Sequence, residues 1–301
     1  MKKRAFVRYS KQGKIVPGSL ILTGGSHPQG PSTWKEVPAD LCCETTTCVE
    51  PLVMEVIPLE GFFEFGFRVN NPNTVAGTIE WGDGDSETFD LTANPGYNYF
   101  GHNYSTLDYI PHTVKVYFTS VSGFDNLEIG DTDGWNILSI SNLKKVFGTS
   151  SIDQVDADDN PLLTSLDVSG LPIQSLYALN CSNLAYLNVQ GCTSLIDTEL
   201  YTGAFEVLDF TGCSSLEYAD VGDNPNMTTL IIDGCSSLQY LFAADCILTE
   251  ATVDYIIQTL DDLGVTNGNL YLDGSGNAAP SGASATALAN LITKSWVVNT
   301  N

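Results

Sequence analysis

The sequence has 301 residues, with 36 acidic and 12 basic side chains and a formal net charge of −24. This length is sufficient for two or three domains with hydrophobic cores. No apolar run approaches the roughly 18 residues of a membrane-spanning helix, so membrane insertion is not expected. The negative charge argues against nucleic-acid binding by the body of the protein.

The first fifty residues differ in charge and composition from the rest. Residues 1–20 carry six basic side chains and no acidic one, whereas beyond residue 50 five basic side chains stand against 32 acidic ones. Residues 1–50 are rich in Gly, Pro, Ser and Thr and are predicted to form an extended arm. A basic arm on an acidic body indicates that the arm docks on a partner. The anchor candidates are Lys2, Lys3, Arg4, Arg8, Lys11 and Lys14.

The composition of the arm also indicates the cellular compartment in which the protein assembles. The basic residues of MKKRAFVRYSKQGKIVPG are not followed by an apolar segment, so no secretory signal is predicted and assembly in a cytoplasm is expected. Nucleic acid could dock on the arm, but no aromatic–basic platform supports that interpretation. Cys42, Cys43 and Cys48 could cross-link or bind metal, although an adaptable loop explains the segment LCCETTTC more simply.

Residues 51–122 consist of short alternating or apolar runs separated by Pro, Gly and Asn, which predicts a small antiparallel β-sandwich. The segments TIEWGDGDSETF and FGHNYSTLDYIPHTVKVYF resemble polycystic-kidney-disease (PKD-like) Ig modules, with a W-G-D-G turn followed by an H-x-Y hairpin. The resemblance implies that the matching residues shape a turn and lock strands, and are not catalytic. They are Trp81, Gly82, Asp83, Gly84, His102 and Tyr104.

Several turns carry paired aspartates that could bind calcium. None has the trailing glutamate of a complete calcium loop, so turn formation is the preferred interpretation and no metal or cofactor is predicted. The pairs are Asp83 with Asp85, Asp131 with Asp133, and Asp156 with Asp158.

Residues 123–247 contain a repeated phrase, L-x-x-L-x-L-x-x-[N/C]. Copies recur every 10–11 residues and alternate copies every 21–22. Each L-x-L core predicts a strand, and two phrases supply one coil that stacks about 4.8 Å from the next. The phrase resembles leucine-rich-repeat proteins, in the irregular form common in bacterial and phage surface proteins, and therefore implies a solenoid.

The Asn/Cys position of the phrase is predicted to be a buried corner, where a small side chain satisfies backbone groups. The cysteines are expected to be reduced; zinc is not expected without a C-x-x-C pair, nor a thiol nucleophile without a histidine beyond His112. In one copy the turn is expected at Thr202, one residue early, and Leu171 fills the slot in another. The structural candidates are Cys181, Cys192, Cys213, Cys235, Cys246, Asn160 and Asn224.

Residues 248–301 are predicted to cap the solenoid. Apolar residues at helical spacing predict a helix over 249–263, with Thr249 as N-cap and Gly264 as the stop. A strand, a short helix capped by Ser281 and a final strand follow. This passage resembles the C-terminal ends of leucine-rich proteins in phage fibre genes.

Outward residues between the apolar columns are the candidates for a binding surface. Stacked tyrosines beside carboxylates could hold glycan or protein, whereas a plain solvated surface is the alternative. On one face the candidates include Asp167, Asn188 and Asp209, and Asp156 lies on the other. The principal candidates on that other face are Tyr177, Glu199, Tyr218, Asp220, Tyr240 and Phe242.

Together these features predict a mainly β protein: an arm, an Ig/PKD-like sandwich, a leucine-rich-repeat-like solenoid and an α/β cap. No nucleophile–base pair, phosphate loop or paired-carboxylate motif indicates an enzyme.

The arm resembles an N-terminal segment of virion proteins of tailed phages of Bacteroidota. The resemblance implies a fibre, appendage or decoration protein, bound through the arm to capsid, portal or tail proteins and displaying the solenoid to a host surface. Self-association is compatible with this. A bacterial surface adhesin and a cytoplasmic scaffold are the alternatives.

Overall fold

The computed structural model describes residues 50–58, 61–70, 73–104, 110–129, 137–148 and 152–301, and the backbone of three strands nearer the N-terminus. The chain divides into two compact units, Met1–Val49 and Glu50–Asn301. Strands far outnumber helices, which confirms the mainly β class. Within the described residues, no helix has the length and apolar character needed to cross a membrane.

The first unit contains an antiparallel sheet in the order β2-β1-β3. The prediction of an extended arm over residues 1–50 is therefore wrong for these segments. Their β-branched and aromatic residues favour strands, and pairing satisfies backbone groups that an isolated extended chain would leave to water. The strands are β1 (Arg4–Arg8), β2 (Ile21–Thr23) and β3 (Trp34–Val37).

The second unit begins with antiparallel strands in two sheets that share one core. The β4-β9-β6-β7 group belongs to one sheet and the β5-β8 pair to the other. The alternation in FFEFGFRV buries Phe67, whose ring lies 5.3 Å from that of Phe118 in the opposite sheet. The strands are β4 (Leu52–Val56), β5 (Phe62–Val69), β6 (Ala76–Glu80), β7 (Ser86–Asp90), β8 (Gly96–Asn103) and β9 (His112–Ser120).

Two strands connect these sheets to the repeats. Strand β10 (Phe124–Glu128) pairs antiparallel with β5 and parallel with β12 (Gln154–Asp156). Strand β11 (Ile137–Ser141) pairs antiparallel with β4 and parallel with β13 (Ser165–Asp167). Both sheets thus continue across the boundary predicted at residues 122/123. A short helix that the sequence pattern did not predict, α1 (Leu143–Phe147), follows β11.

Beyond β12 the chain alternates between two sides, placing three-residue strands in parallel register. Partners on one side are offset by 21 or 22 residues, as in Gln154↔Ser175 and Ser175↔Asp197, which is the period read from the sequence. We call each 21–22-residue segment a coil. The remaining strands are β14 (Ser175–Tyr177), β15 (Tyr186–Asn188), β16 (Asp197–Glu199), β17 (Val207–Asp209), β18 (Tyr218–Asp220), β19 (Thr229–Ile231) and β20 (Tyr240–Phe242).

Each corner of a coil places one residue in the left-handed region immediately before the Asn/Cys slot. One column uses glycine for this conformation; the other uses Asp, Asn or Thr, of which Asp and Asn tolerate it best. Thr202, with φ of 60°, belongs to the second column, so the early turn predicted there is wrong and Gly203 fills the slot. A Cβ at Gly203 would lie 2.5 Å from Phe205 Cε2 and 2.9 Å from Asn224 Oδ1, so the neighbours occupy the space.

The parallel ladder is interrupted once, between β15 and β17. Gly170 donates to Gln190 O and Gly212 to Asp233 O, but Gly191, between them, makes no corresponding backbone bond within residues 152–301. The seven-stranded sheet therefore ends at β15, and β17 pairs only with β19. On the opposite side the ladder runs through β20 without a break.

The C-terminal segment extends the ten-stranded sheet. Thr249 Oγ1 accepts from Thr252 N and Gly264 ends the helix with φ of 75°, as predicted. The second helix of this segment has Ser284 as its N-cap rather than the predicted Ser281, and Asp254 on the preceding helix accepts from both serine hydroxyls. The elements are α2 (Glu250–Leu263), β21 (Asn269–Tyr271), α3 (Ala285–Thr293) and β22 (Val297–Asn299).

Candidate functional site

The ten-stranded sheet presents one outward face along the coils. The central residue of each strand is buried and the first and third face outward, because side chains alternate along a strand. Register aligns the third positions of successive strands, Asp156, Tyr177, Glu199, Asp220, Phe242 and Tyr271, into one row. The first positions of β18 and β20 are Tyr218 and Tyr240. All six residues proposed from the sequence lie on this surface, which we call the coil face.

An aromatic cluster occupies the end of the coil face next to the cap. The ring of Tyr218 lies 6.3 Å from that of Tyr240 and 5.7 Å from that of Phe242. Phe242 and Tyr271 are stacked at 4.6 Å with an interplanar angle of 9°. Tyr271 was not predicted from the repeat, because helix α2 is inserted between β20 and β21 and breaks the repeat spacing. Its signal was the apolar alternation in NLYL.

Carboxylates flank the aromatic cluster. Burial, with Asp197 and Asp220 nearby, raises the pKa of Glu199; burial also raises the pKa of Asp220. Tyr177 donates to Asp197 Oδ2 at 2.7 Å, and burial together with that carboxylate raises the pKa of Tyr177 to about 12. Residues 152–293 contain no Lys, Arg or His, so this stretch supplies no cationic side chain for the carboxylates. The coil face thus offers hydrogen-bond acceptors beside flat apolar rings.

The acidic and amide residues of the opposite side have a local role. Asp167, Asn188 and Asp209 each accept a hydrogen bond from the backbone N–H two residues further on, at 2.8–3.1 Å. Such bonds fix the turn that follows each strand. Asp156 and Asp220 make the same bond on the coil face, where both residues are half-buried.

The predicted corner residues are buried donors to the backbone. Cys181, Cys192, Cys213, Cys235 and Cys246 are free thiols with exposures of 1% or less, and each donates to a carbonyl of the preceding coil. Burial raises their pKa values, to about 12 for Cys213. Asn160 and Asn224 Nδ2 donate in the same way to Ile129 O and Leu200 O. A buried thiol of raised pKa is a poor nucleophile.

The turn after β6 brings together a possible metal-ligand group in the described part of the chain, Asp83, Asp85 and His102. His102 Nε2 lies 2.8 Å from Asp83 Oδ2, and its ring stacks on Trp81 at 5.0 Å. Asp83 Oδ1 accepts from Asp85 N at 3.0 Å, and Tyr104 donates to Trp81 O at 2.9 Å. Asp83 and His102 thus use their ligand atoms to lock the turn, in keeping with the turn role implied by the resemblance.

The remaining candidates lie in the first unit or outside the described residues. Arg4 and Arg8 are the end residues of β1. The other anchor candidates, Lys2, Lys3, Lys11 and Lys14, fall outside the described residues, as do Cys42, Cys43, Cys48, Asp131 and Asp133.

Comparison of the chain with protein-family models, curated protein sequences and solved structures finds no match.

Proposed function

We propose that this protein is a structural virion protein of a tailed phage, a fibre, appendage or decoration that displays a host-binding surface. In this proposal residues 123–247 form a leucine-rich-repeat-like solenoid, carried on a PKD/Ig-like sandwich and closed by an α/β cap. The basic N-terminal segment attaches the protein to capsid, portal or tail proteins. The protein acts by binding and not as an enzyme.

The observation that carries the proposal is the aromatic cluster on the coil face. Tyr218, Tyr240, Phe242 and Tyr271 form a continuous row of rings at separations of 4.6–6.3 Å. Tyr240 is 40% exposed. Burying its ring would stabilise the fold, so the exposed ring forgoes that stabilisation. Rings held on a rigid sheet lose little conformational entropy on binding, which suits them to recognise a glycan or protein surface.

The distribution of charge supports the attachment step. Six basic residues lie in the first 20 positions, while 32 of the 36 acidic residues lie beyond residue 50. A segment of one sign on a body of the other can attach to an acidic partner surface while the body repels its copies. Binding of this kind weakens as salt concentration rises.

The host-binding step can be tested with purified, fluorescently labelled protein and a panel of Bacteroidota cells. Tyr218→Ala combined with Tyr240→Ala should abolish cell binding. The matched control is Tyr186→Ala, which removes a tyrosine that is 56% exposed on β15, outside the coil face. Equal loss with the control variant, or retention with the double variant, would overturn the role of the coil face.

The attachment step needs a separate experiment. Deletion of residues 1–49 should prevent incorporation into phage particles, measured by mass spectrometry of purified virions, while the Lys115→Ala variant should incorporate normally. Normal incorporation of the truncated protein would contradict the anchor role. Surface display on bacteria that carry no phage would favour the adhesin instead.

A further inference from the structure

A second candidate site lies in the ten-stranded sheet, at the end opposite the aromatic cluster. Where β5, β10, β12 and β14 run side by side, a pocket of about 310 Å³ opens at the surface. It is lined entirely by polar and charged residues and is separate from the residues used in the proposed function. Its principal lining residues are Arg68, Asp125, Asn126, Asp153, Gln154 and Gln174.

The pocket is built around an irregularity in β10. The register between β10 and β5 shifts between Phe124 and Asn126, which leaves Asp125 without a partner in the ladder. Bulges of this kind redirect side chains and are enriched beside functional sites. Here Asp125 Oδ2 lies 3.1 Å from Arg68 Nε, and the two groups form one wall of the pocket.

Asn126 supplies the independent sign of a ligand. This residue is 2% exposed and lines the pocket, yet its Oδ1 accepts no hydrogen bond. A buried carbonyl without a donor is costly, and such groups call for an explanation such as a bound molecule. The missing partner must be a donor, and because this oxygen is closed to solvent, the Asn126 side chain must turn toward the pocket before the O–H group of a ligand can donate to it.

The other groups in the pocket define the kind of ligand. Asp153 Oδ1 accepts from Gln174 Nε2 at 3.3 Å, and Gln154 is half-buried beside them. The pocket holds the guanidinium of Arg68 and the carboxylates of Asp125 and Asp153. Its slight excess of negative charge disfavours the binding of anions. The amides of Asn126, Gln154 and Gln174 both donate and accept, as the hydroxyl groups of a polyol do.

A flat aromatic surface adjoins the pocket. Arg68 Cζ lies 5.6 Å from the ring centroid of Tyr97, which is 53% exposed. Tyr97 and Tyr99 are parallel neighbours, with centroids 6.4 Å apart and an interplanar angle of 11°. Tyr99 is fixed by donation to Glu128 Oε1 at 3.0 Å. The electron-rich face of such rings attracts the weakly positive C–H groups of a sugar ring.

We infer that this pocket binds one neutral sugar residue of a glycan, with the adjoining sugar resting on Tyr97 and Tyr99. Sugar hydroxyls donate to Asp153 and, once its side chain turns, to Asn126 Oδ1, and they accept from Arg68 and the amide groups. Uronic and sialic acids are excluded by the two carboxylates. The inference depends neither on the virion assignment nor on the aromatic cluster of the coil face.

The test uses the full chain and saturation-transfer NMR with methyl glycosides of glucose, galactose, mannose and N-acetylglucosamine. At least one should receive saturation. Gln154→Ala and Arg68→Ala should weaken its binding at least ten-fold, whereas Gln190→Ala, which removes an exposed glutamine on the opposite side of the coils, should leave it unchanged. Tyr97→Ala should weaken a β-linked disaccharide of the bound sugar more than the monosaccharide. Circular dichroism checks that each variant is folded. If Arg68→Ala does not fold, the sugar binding of Gln154→Ala alone tests the inference.

Three results would overturn the inference: no binding of any of the four glycosides, binding by Gln154→Ala at wild-type affinity, or N-acetylneuraminic acid binding as tightly as the neutral sugars. The Tyr218→Ala, Tyr240→Ala double variant should bind the glycosides normally. Failure of cell binding through the coil face is thereby distinguished from failure of this pocket.

Discussion

Asn224 and Cys246 occupy the same corner of successive coils and perform the same task. Asn224 Nδ2 donates to Leu200 O at 3.0 Å, and Cys246 Sγ donates to Val221 O at 3.4 Å. Each bond ties a corner to the coil before it. The amide additionally donates to Val221 O and Gly222 O, so it holds more backbone groups than the thiol does.

This relationship predicts the effect of changing the slot. Asn224→Ala should lower the free energy of unfolding by about 2–3 kcal/mol, because three buried carbonyl groups lose a donor. Asn224→Cys should cost about 1 kcal/mol less, because a thiol can still reach the preceding coil as Cys246 does. Urea denaturation measures both variants. Equal destabilisation by Ala and Cys would show that the slot requires only small volume.

The buried cysteines should be protected from modification. Iodoacetamide at pH 8 should leave Cys181, Cys213 and Cys235 unmodified in the folded protein, because burial raises their pKa values to about 12 and keeps the thiols protonated. All three should react in 8 M urea. Peptide mapping by mass spectrometry separates them from Cys42, Cys43 and Cys48. Rapid labelling of the native protein at any of the three would contradict the coil arrangement.

Asp158 should make stability depend on pH. Burial, with Asp156 and Asp159 nearby, raises its pKa to about 7 from an ordinary value of 3.8. Between those values the folded state binds more protons than the unfolded state, so this group's contribution to the free energy of unfolding falls as pH rises and is lost above pH 7. Asp158→Asn should therefore gain stability relative to wild type between pH 5 and pH 8, by on the order of 1 kcal/mol after solvent screening.

The control for that experiment is Asp167→Asn. Asp167 is exposed and accepts a hydrogen bond from Ser169 N within its own turn, whereas the half-buried Asp158 accepts from Leu179 N of the next coil. Its stability difference from wild type should change less over the same pH range. The free energies of unfolding of Asp158→Asn and wild type are compared at each pH. If their difference stays constant from pH 5 to pH 8, the pKa of Asp158 is not raised.

Adding a side chain at Gly203 should be harmful. Gly203→Ala places a Cβ against Phe205 and Asn224, and overpacking of this kind costs about 1–3 kcal/mol. Gly282→Ala, where no atom lies within 4 Å of the added Cβ, should change stability by less than about 0.5 kcal/mol. Thermal denaturation compares the two. A stabilised Gly203→Ala variant would mean that the slot has free space.

The sequence alone determined the features that depend on near neighbours. The 21–22-residue period reappears as the offset between paired strands, and the caps at Thr249 and Gly264 are where their residue types place them. Alternation, period and capping are local, because each depends on residues within one strand, coil or helical turn. For the same reason the six coil-face candidates could be assigned to one surface before the fold was known.

Only the tertiary structure decided how distant segments pair. The break between β15 and β17, the filled slot at Gly203 and the bulge at Asp125 arise from packing between coils and sheets far apart in sequence. Asn277 repeats the corner bond, donating to Ala243 O, but helix α2 separates it from the repeat that would have revealed it. A periodic pattern fixes which side chains are buried in each strand, whereas register, bulges and insertions depend on long-range contacts that no local pattern encodes.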